Sequence, residues 1–367
     1  MPSDYPFKHL GPVPPHRMID REDELRHLGI AAGEQTAIRL AAPRRYGKTT
    51  LLDAHRAALS GAGWVAARVD LGGVSDLGGV VRALISAWAP HRDLDPVRKA
   101  RRLATRLGLE VNIPPVRLTL RAPPPSTDLT GLFEELLNLP EILARDATGA
   151  LVVFDEFQDL LAAAPQLDAR VRAVIQHHHQ TTYVFAGSEP SLLARMFERR
   201  DAPFWGQAEA LRLGPLPVED TIAEVERRFK ELELAPGEAA AQLVEIGAGH
   251  PQRTMLLCHL LARQLREQPD LSDDERVEVV LTLALEETAE IHAAELASVS
   301  RQQRVVLGEV ANGRSPLARD LPTRQAGTRG GYQDAAAALI ADGHLLRRDD
   351  SVGWQIIDPL LTLRLAR

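Results

Sequence analysis

The chain has little of several things, and each shortage excludes something. One cysteine, Cys258, stands among 367 residues, so no disulfide can form within the chain, and a reducing compartment is the simple reading. Aromatic residues make up 4%. The core must therefore come mainly from Ala, Leu and Val, which favours helices. No stretch approaches 18 apolar residues, and the opening Met1 to Leu10 lacks an apolar signal core. The sequence thus predicts a soluble, cytoplasmic protein with no membrane association. Positive charge is not in excess either: 43 Lys and Arg against 50 Asp and Glu leave a net −7, with no global basic field to draw nucleic acid. Internal repeats and long low-complexity segments are absent. The length allows two or three domains.

What is present begins at Ile38-Arg39-Leu40-Ala41, a short apolar run that leads into Ala42-Pro43-Arg44-Arg45-Tyr46-Gly47-Lys48-Thr49-Thr50 and then an Ala/Leu-rich helical pattern. A strand, a tight polar loop and a helix are the setting in which Gly-x-x-x-x-Gly-Lys-Ser/Thr binds a nucleoside triphosphate. Backbone N–H groups curl around the phosphates, and the helix N-terminus adds partial positive charge. Lys48 would reach the terminal phosphates, Thr49 would ligate Mg²⁺, and Gly47 would let backbone approach phosphate. Ala42 stands where the pattern has its first glycine. Either the loop enters with negative φ or affinity is lost.

About a hundred residues later, Leu151-Val152-Val153-Phe154 runs into Asp155-Glu156. Four apolar residues read as a fully buried parallel strand, whose carboxyl end is where open α/β sheets bind ligands. Asp155 there suits the Mg²⁺ shell, and Glu156 suits orienting or deprotonating an attacking water. Each motif alone is common. In this order and spacing they point to ATP and Mg²⁺ as the cofactors.

Taken in order, residues 1–18 read as a Pro-rich extended arm, followed by a helix capped by Asp20. A P-loop core spans 19–216, with further strands at Trp64 to Leu71 and Thr182 to Ser188 and a last one from Leu211 to Pro217. Strands alternating with helices give a parallel sheet. Ser188 would lie beside the γ-phosphate as its reporter; a simple helix cap is the plainer alternative. Residues 91–125 read as an insertion, with a basic helix carrying Arg98, Lys99, Arg101, Arg102 and Arg106 and a small hairpin over Val111 to Leu120. His177-His178-His179 falls near a helix end with no second ligand group at metal spacing. Residues 217–298 read as a helical lid broken at Pro236-Gly237, at Gly247 to Pro251 and at Pro269. Pro251 starts a helix with Arg253 in its first turn. The helix dipole prefers an acid there, so Arg253 is a candidate for an external phosphate. Residues 299–367 read as helix–helix–helix–hairpin, a winged-helix pattern.

With these residues in view, the chain from about residue 17 to 367 resembles the archaeal-type ATPase family of P-loop NTPases, near the STAND regulators and the Orc/Cdc6-type AAA+ initiators. Pro43 to Thr49 resembles the family's phosphate loop. Ile19, Arg21, Glu22, Glu24 and Leu25 loosely resemble the box preceding it. The Asp-Glu strand end, Gly187-Ser188, the Gly249-x-Pro251 turn and the tail Asp358 to Leu361 are similar as well. The resemblance implies an α/β P-loop core with a helical lid and a winged helix. One departure is Gln207, where the family commonly has arginine. If that arginine is the finger, worth about 10³–10⁵ in turnover, hydrolysis here is slow unless Arg199, Arg200 or a partner substitutes.

Two functions follow as expectations. The first is a nucleotide-controlled switch that binds ATP or ADP, hydrolyses ATP slowly, and works through a homo-oligomer or protein partner. The second is a DNA-binding ATPase of initiator or transposition-helper type. From Ser298 onward ten arginines face seven acids, a local +3, but the third helix of that region offers only Arg329, Tyr332 and Gln333 for base edges. DNA binding is therefore expected to be weak. The loop assignment is directly testable. At ATP·Mg²⁺ about a thousandfold above Kd, ligand should stabilise the protein by about 4 kcal/mol. Lys48→Ala should abolish that melting shift, and an unchanged shift would remove Lys48 from the phosphates.

Overall fold

A computed structural model describes residues 4–91, 93–106, 126–164, 166–325, 327–347 and 353–366. The expected hairpin over Val111 to Leu120 lies outside these residues. Two compact units account for the described chain. One comprises residues 22–42 and 51–212, and the other residues 1–21, 43–50 and 213–367.

The first unit is built from α1 (Glu22–Gly33), β1 (Ile38–Ala41), α2 (Lys48–Gly61) from Leu51 onward, β2 (Val65–Asp70), α3 (Leu77–Ala87), α4 (Asp95–Arg106), α5 (Ser126–Ala144), β3 (Ala150–Asp155), α6 (Leu160–Ala163), α7 (Leu167–Ile175), β4 (Thr181–Gly187), α8 (Pro190–Glu198) and β5 (Glu209–Arg212). The five strands are all parallel, in the order β2-β3-β4-β1-β5. Every residue of β3 and β4 is buried, as expected of central parallel strands covered on both faces. Edge strand β5 is mostly exposed. The expected last strand over Leu211 to Pro217 instead pairs from Glu209 to Arg212. Gly214 and Pro215 follow, and proline has no N–H to extend a ladder.

Five of the eight phenylalanines gather beneath the ends of β3 and β4. Phe157 is fully buried, with ring centroids 4.7 Å from Phe185 and 5.3 Å from Phe204, and Phe154 stacks on Phe185 at 5.8 Å. Buried aromatics of this size dominate local packing energy, so a chain poor in aromatics has placed them under one strand edge.

The second unit carries α9 (Val218–Glu231), α10 (Ala239–Ile246), α11 (Pro251–Glu267), α12 (Asp273–Glu287), α13 (Ala289–Ser298), α14 (Arg301–Ala311), α15 (Leu321–Arg324), α16 (Arg329–Ala341), β6 (Leu345–Arg347), β7 (Trp354–Ile356) and α17 (Pro359–Ala366). The expected breaks at Pro236-Gly237, Gly247 to Pro251 and Pro269 all separate helices. A further break falls at buried Thr288, whose hydroxyl donates to Ala284 O at 2.7 Å. The helix–helix–helix–hairpin order holds for α14, α15, α16 and antiparallel β6–β7. The arm is stitched down rather than loose. Phe7 is buried 4.5 Å from Phe229, Arg228 Nη1 donates to Pro6 O at 2.8 Å, and Arg17 pairs with Glu231. Asp20 is no helix cap: it and Arg21 both have positive φ, and α1 starts beyond them.

Buried His55 on α2 gives the first unit a pH signature. Its Nε2 has no partner among the described residues, and burial takes its pKa from the ordinary 6.5 down to about 4. Since the folded value lies below the unfolded one, the unfolded chain takes up the proton first as pH falls. The stability lost between pH 6.5 and 4 should be about 3 kcal/mol from this group. Melting curves across that range should flatten by a comparable amount in His55→Leu; an unaltered slope would refute the buried neutral imidazole.

Candidate nucleotide site

β1 ends at Ala41, and in the parallel ladder Ala41 lies opposite Gly187, the last residue of β4. Ala42 N–H then donates to Gly187 O at 3.4 Å. The next strand, β3, ends at Asp155. One carboxyl edge therefore carries the root of the phosphate-loop sequence, the Asp155-Glu156 pair and Ser188, on the adjacent strands β1, β4 and β3.

The loop's backbone answers the question raised by Ala42. Ala42 is buried and is not among the residues with positive φ, so the loop is entered without strain and alanine suffices. The left-handed positions fall on Arg45 (φ 68°) and Gly47 (φ 85°). At Gly47 nothing lies within 4 Å of where a Cβ would be, so glycine is needed there for its conformation rather than for space. Pro43 accepts from Tyr46 N, closing a turn. Lys48 and Thr49 are the first two residues of α2, where the helix dipole favours an anion. Thr50 Oγ1 accepts from Val13 N of the arm at 3.4 Å. This donor set fits a phosphate chain: a left-handed turn, a helix N-terminus, a buried lysine and a hydroxyl.

At the sheet edge Asp155 is buried, with Arg68 Nη1 of β2 3.7 Å from its carboxylate. Glu156 adopts left-handed backbone (φ 52°, ψ 45°). Its Oε2 accepts three hydrogen bonds: Ser188 N–H at 2.9 Å, Ser188 Oγ–H at 2.8 Å and Gln158 Nε2–H at 2.8 Å. Ser188 is thus tied to Glu156 rather than capping α8, whose N-cap is Glu189. Gln158 was not singled out from the sequence. It is a buried polar residue two positions past the acidic pair, and its role appears only once β3 and β4 are adjacent.

Pro251 is the first residue of α11 and His250 is its cap, with Nδ1 accepting from Arg253 N–H at 3.3 Å. Burial pushes His250 down to about 4, which keeps that acceptor unprotonated. The His250 ring meets the Tyr46 ring edge-on at 5.0 Å. Arg253, expected to be held for an external phosphate, has an internal anion instead. Its side chain is 1% exposed, and Nε and Nη2 both donate to Asp358 Oδ2, the former at 2.9 Å. Asp358 Oδ2 also meets His292 Nε2 at 3.2 Å, and Oδ1 accepts from Leu360 N–H at 3.0 Å, at the start of α17. His292, Glu295 and Asp358 are the one group among the described residues with donor atoms close enough for a metal ion, but the Arg253 guanidinium already occupies Asp358.

Other expected residues fall elsewhere. Arg199 is paired with Asp201 at 2.6 Å, and Gln207 Oε1 accepts from Arg172 Nη2 at 2.7 Å. Tyr332, offered above for base contacts, is 2% exposed, with its hydroxyl donated to Gln325 O at 2.9 Å.

No protein-family model matches the chain, and no curated protein does. Solved structures do match. The Walker-type ATPase PABY2304 of Pyrococcus abyssi is similar over 98% of this chain and 99% of its own, with TM-score 0.71 and 20% identity. The ORC2 protein of Aeropyrum pernix, in its ADPNP–ADP complexes, is similar over 98% and 95%, with TM-score 0.62 and 14% identity. At such identities the likeness is one of fold. The chain shares the fold of these structures, with the parallel α/β sheet that the sequence resemblance implied.

The Arg253–Asp358 pair separates two roles for the arginine. Removing one partner of a buried pair typically costs about 3–5 kcal/mol. Arg253→Met should lower denaturant stability by that order even without nucleotide. Loss of ATP affinity at unchanged stability would instead return Arg253 to the phosphates.

Proposed function

We propose that the protein binds ATP·Mg²⁺ at the carboxyl edge of the sheet and hydrolyses it slowly, serving as a nucleotide-controlled switch. The observation that carries this reading is the shared edge. The loop leading to Lys48 and Thr49, the carboxylates Asp155 and Glu156, and Ser188 all stem from the ends of three adjacent parallel strands. Similarity of fold to a Walker-type ATPase and to a protein solved with ADPNP and ADP supports it.

In this reading the backbone of Ala42 to Thr50 cradles the phosphates and the Lys48 ammonium neutralises their oxygens. Thr49 and Asp155 are the ligands for Mg²⁺, which when bound supplies further neutralisation of phosphoryl charge. Glu156 holds a water in line with the terminal phosphoryl and accepts its proton. Ser188, bonded to Glu156, directly follows β4, the strand between β1 and β3, and reports the terminal phosphate. Pro251 and Arg253 contribute through the start of α11, Arg253 by holding Asp358 rather than by touching phosphate.

Slow turnover is expected because Gln207 stands where the resemblance places an arginine, which leaves Arg200 or a partner to supply a finger. Gln207 is uncharged and Arg199 is engaged by Asp201. A homo-oligomer or protein partner would then raise the rate. DNA contact ranks second, because burial of Tyr332 leaves α16 with little besides Arg329 and Gln333 for base edges. Any contact would rest on α4, whose Arg98, Lys99 and Arg102 are exposed, and on Arg347 of the hairpin.

Substituting Glu156→Gln preserves shape and removes basicity. ATP should stay bound while phosphate release falls at least ~10²-fold. Asp155→Ala should weaken the Mg²⁺-dependent binding itself. Normal hydrolysis by Glu156→Gln would transfer water activation to another group.

A further inference from the structure

Gln158 is 5% exposed and lies two residues past Glu156. Its amide nitrogen donates to Glu156 Oε2 at 2.8 Å, while its amide oxygen is buried with no hydrogen-bond partner among the described residues. A buried carbonyl left unpaired is destabilising, and a methionine of similar length would avoid that cost. The carboxylate it serves sits on left-handed backbone, which non-glycine residues adopt at a cost and which surroundings must enforce.

Gly187 explains how the amide fits. Its φ is not positive, so glycine is not required there for conformation. A Cβ at this position, however, would overlap Gln158 Oε1. The last residue of β4 is side-chain-free where Gln158 needs room, and the next residue, Ser188, supplies the other two donors to the same oxygen.

We propose that Gln158 is a positioning residue for Glu156, and that Gly187 is the slot that admits it. This rests on the reading of Glu156 as the water-activating base. Three donors converging on Oε2 fix the carboxylate's rotation, and with it the direction in which its other oxygen lies. Gln158 comes from the same turn as Glu156, whereas Ser188 comes from β4. The carboxylate is thereby held from two elements. Misplacing a reacting group by about 1 Å costs on the order of 10²-fold in rate, so removing one of three donors should cost ~10-fold or more in kcat.

The test uses the full chain. Three variants, Gln158→Met, Gly187→Ala and the pair combined, are compared with wild type and with Glu156→Gln for kcat, for ATP affinity and for melting temperature. Expected are a kcat lower by ~10-fold or more in Gln158→Met and Gly187→Ala, ATP affinity within about twofold of wild type, and a double variant no worse than the single ones, because both substitutions act on one contact. Gln158→Met should melt at or above wild type, since it removes the unpaired carbonyl; a merely structural glutamine would melt lower. If Glu156→Gln abolishes turnover while Gln158→Met and Gly187→Ala keep kcat within about twofold, the positioning role is overturned and the base assignment stands. A rise in kcat would also overturn it, by making the contact a restraint. If Glu156→Gln hydrolyses normally, both readings fall together.

Discussion

Burial of Phe157 is the interaction on which the sheet edge depends. The ring is clamped between Phe185 and Phe204, with Phe154 and Phe197 within 6.2 Å. Drawing Phe157 under the sheet immediately after β3 leaves Glu156 as the residue that must reverse the chain, and it does so in left-handed backbone. Hydrophobic burial of this size, about 2–3 kcal/mol for one fully buried phenylalanine, is comparable to the cost of one such conformation. An apolar contact on one side of the sheet thus sets the direction of a carboxylate at its edge. The parallel ladder supplies the rest: Ala41 opposite Gly187 and Phe154 opposite Phe185 fix how far each strand end projects.

Much of this was legible in the chain. The apolar run from Leu151 to Phe154 marked β3, because a strand covered on both faces has no reason to alternate. Lys48 and Thr49 stand out by spacing, as the cation and hydroxyl that follow glycine in a phosphate cradle, and the structure bears out the helix start expected there. The partners of those residues were not legible. Nothing local in Gln158 or Asp358 distinguishes them from polar residues in ordinary turns. Gln158 acquires its role from Gly187 and Ser188, about thirty positions away, and Asp358 acquires its role from Arg253, 105 positions away. One helix start was misjudged: Asp20 has the composition of a cap but left-handed backbone. The His177 to His179 run does fall just past a helix end, that of α7.

Arg253 illustrates how a helix N-terminus can mislead. Dipole arguments say that a cation there awaits an anion, and an anion is indeed present, but the chain provides it. His292 adds a second contact to the same carboxylate oxygen and takes Arg364 Nε on its other nitrogen at 3.1 Å. The charges are balanced internally, as burial of an arginine at 1% exposure requires.

These stitches also bear on the order in which the polypeptide can become structured during synthesis. In the second unit Arg17 reaches Glu231, Tyr5 reaches His259 and Arg253 reaches Asp358, spans of 214, 254 and 105 residues. Non-local contacts of this kind close late, because the entropy of the intervening chain is lost before they form. The first unit has its last strand in hand once residue 212 has emerged. The unit holding Pro43 to Thr50 must wait for Asp358 before its buried arginine finds a counter-charge. A nascent chain therefore has the full sheet of the first unit in hand well before the unit that holds Pro43 to Thr50 gains its buried Arg253–Asp358 pair.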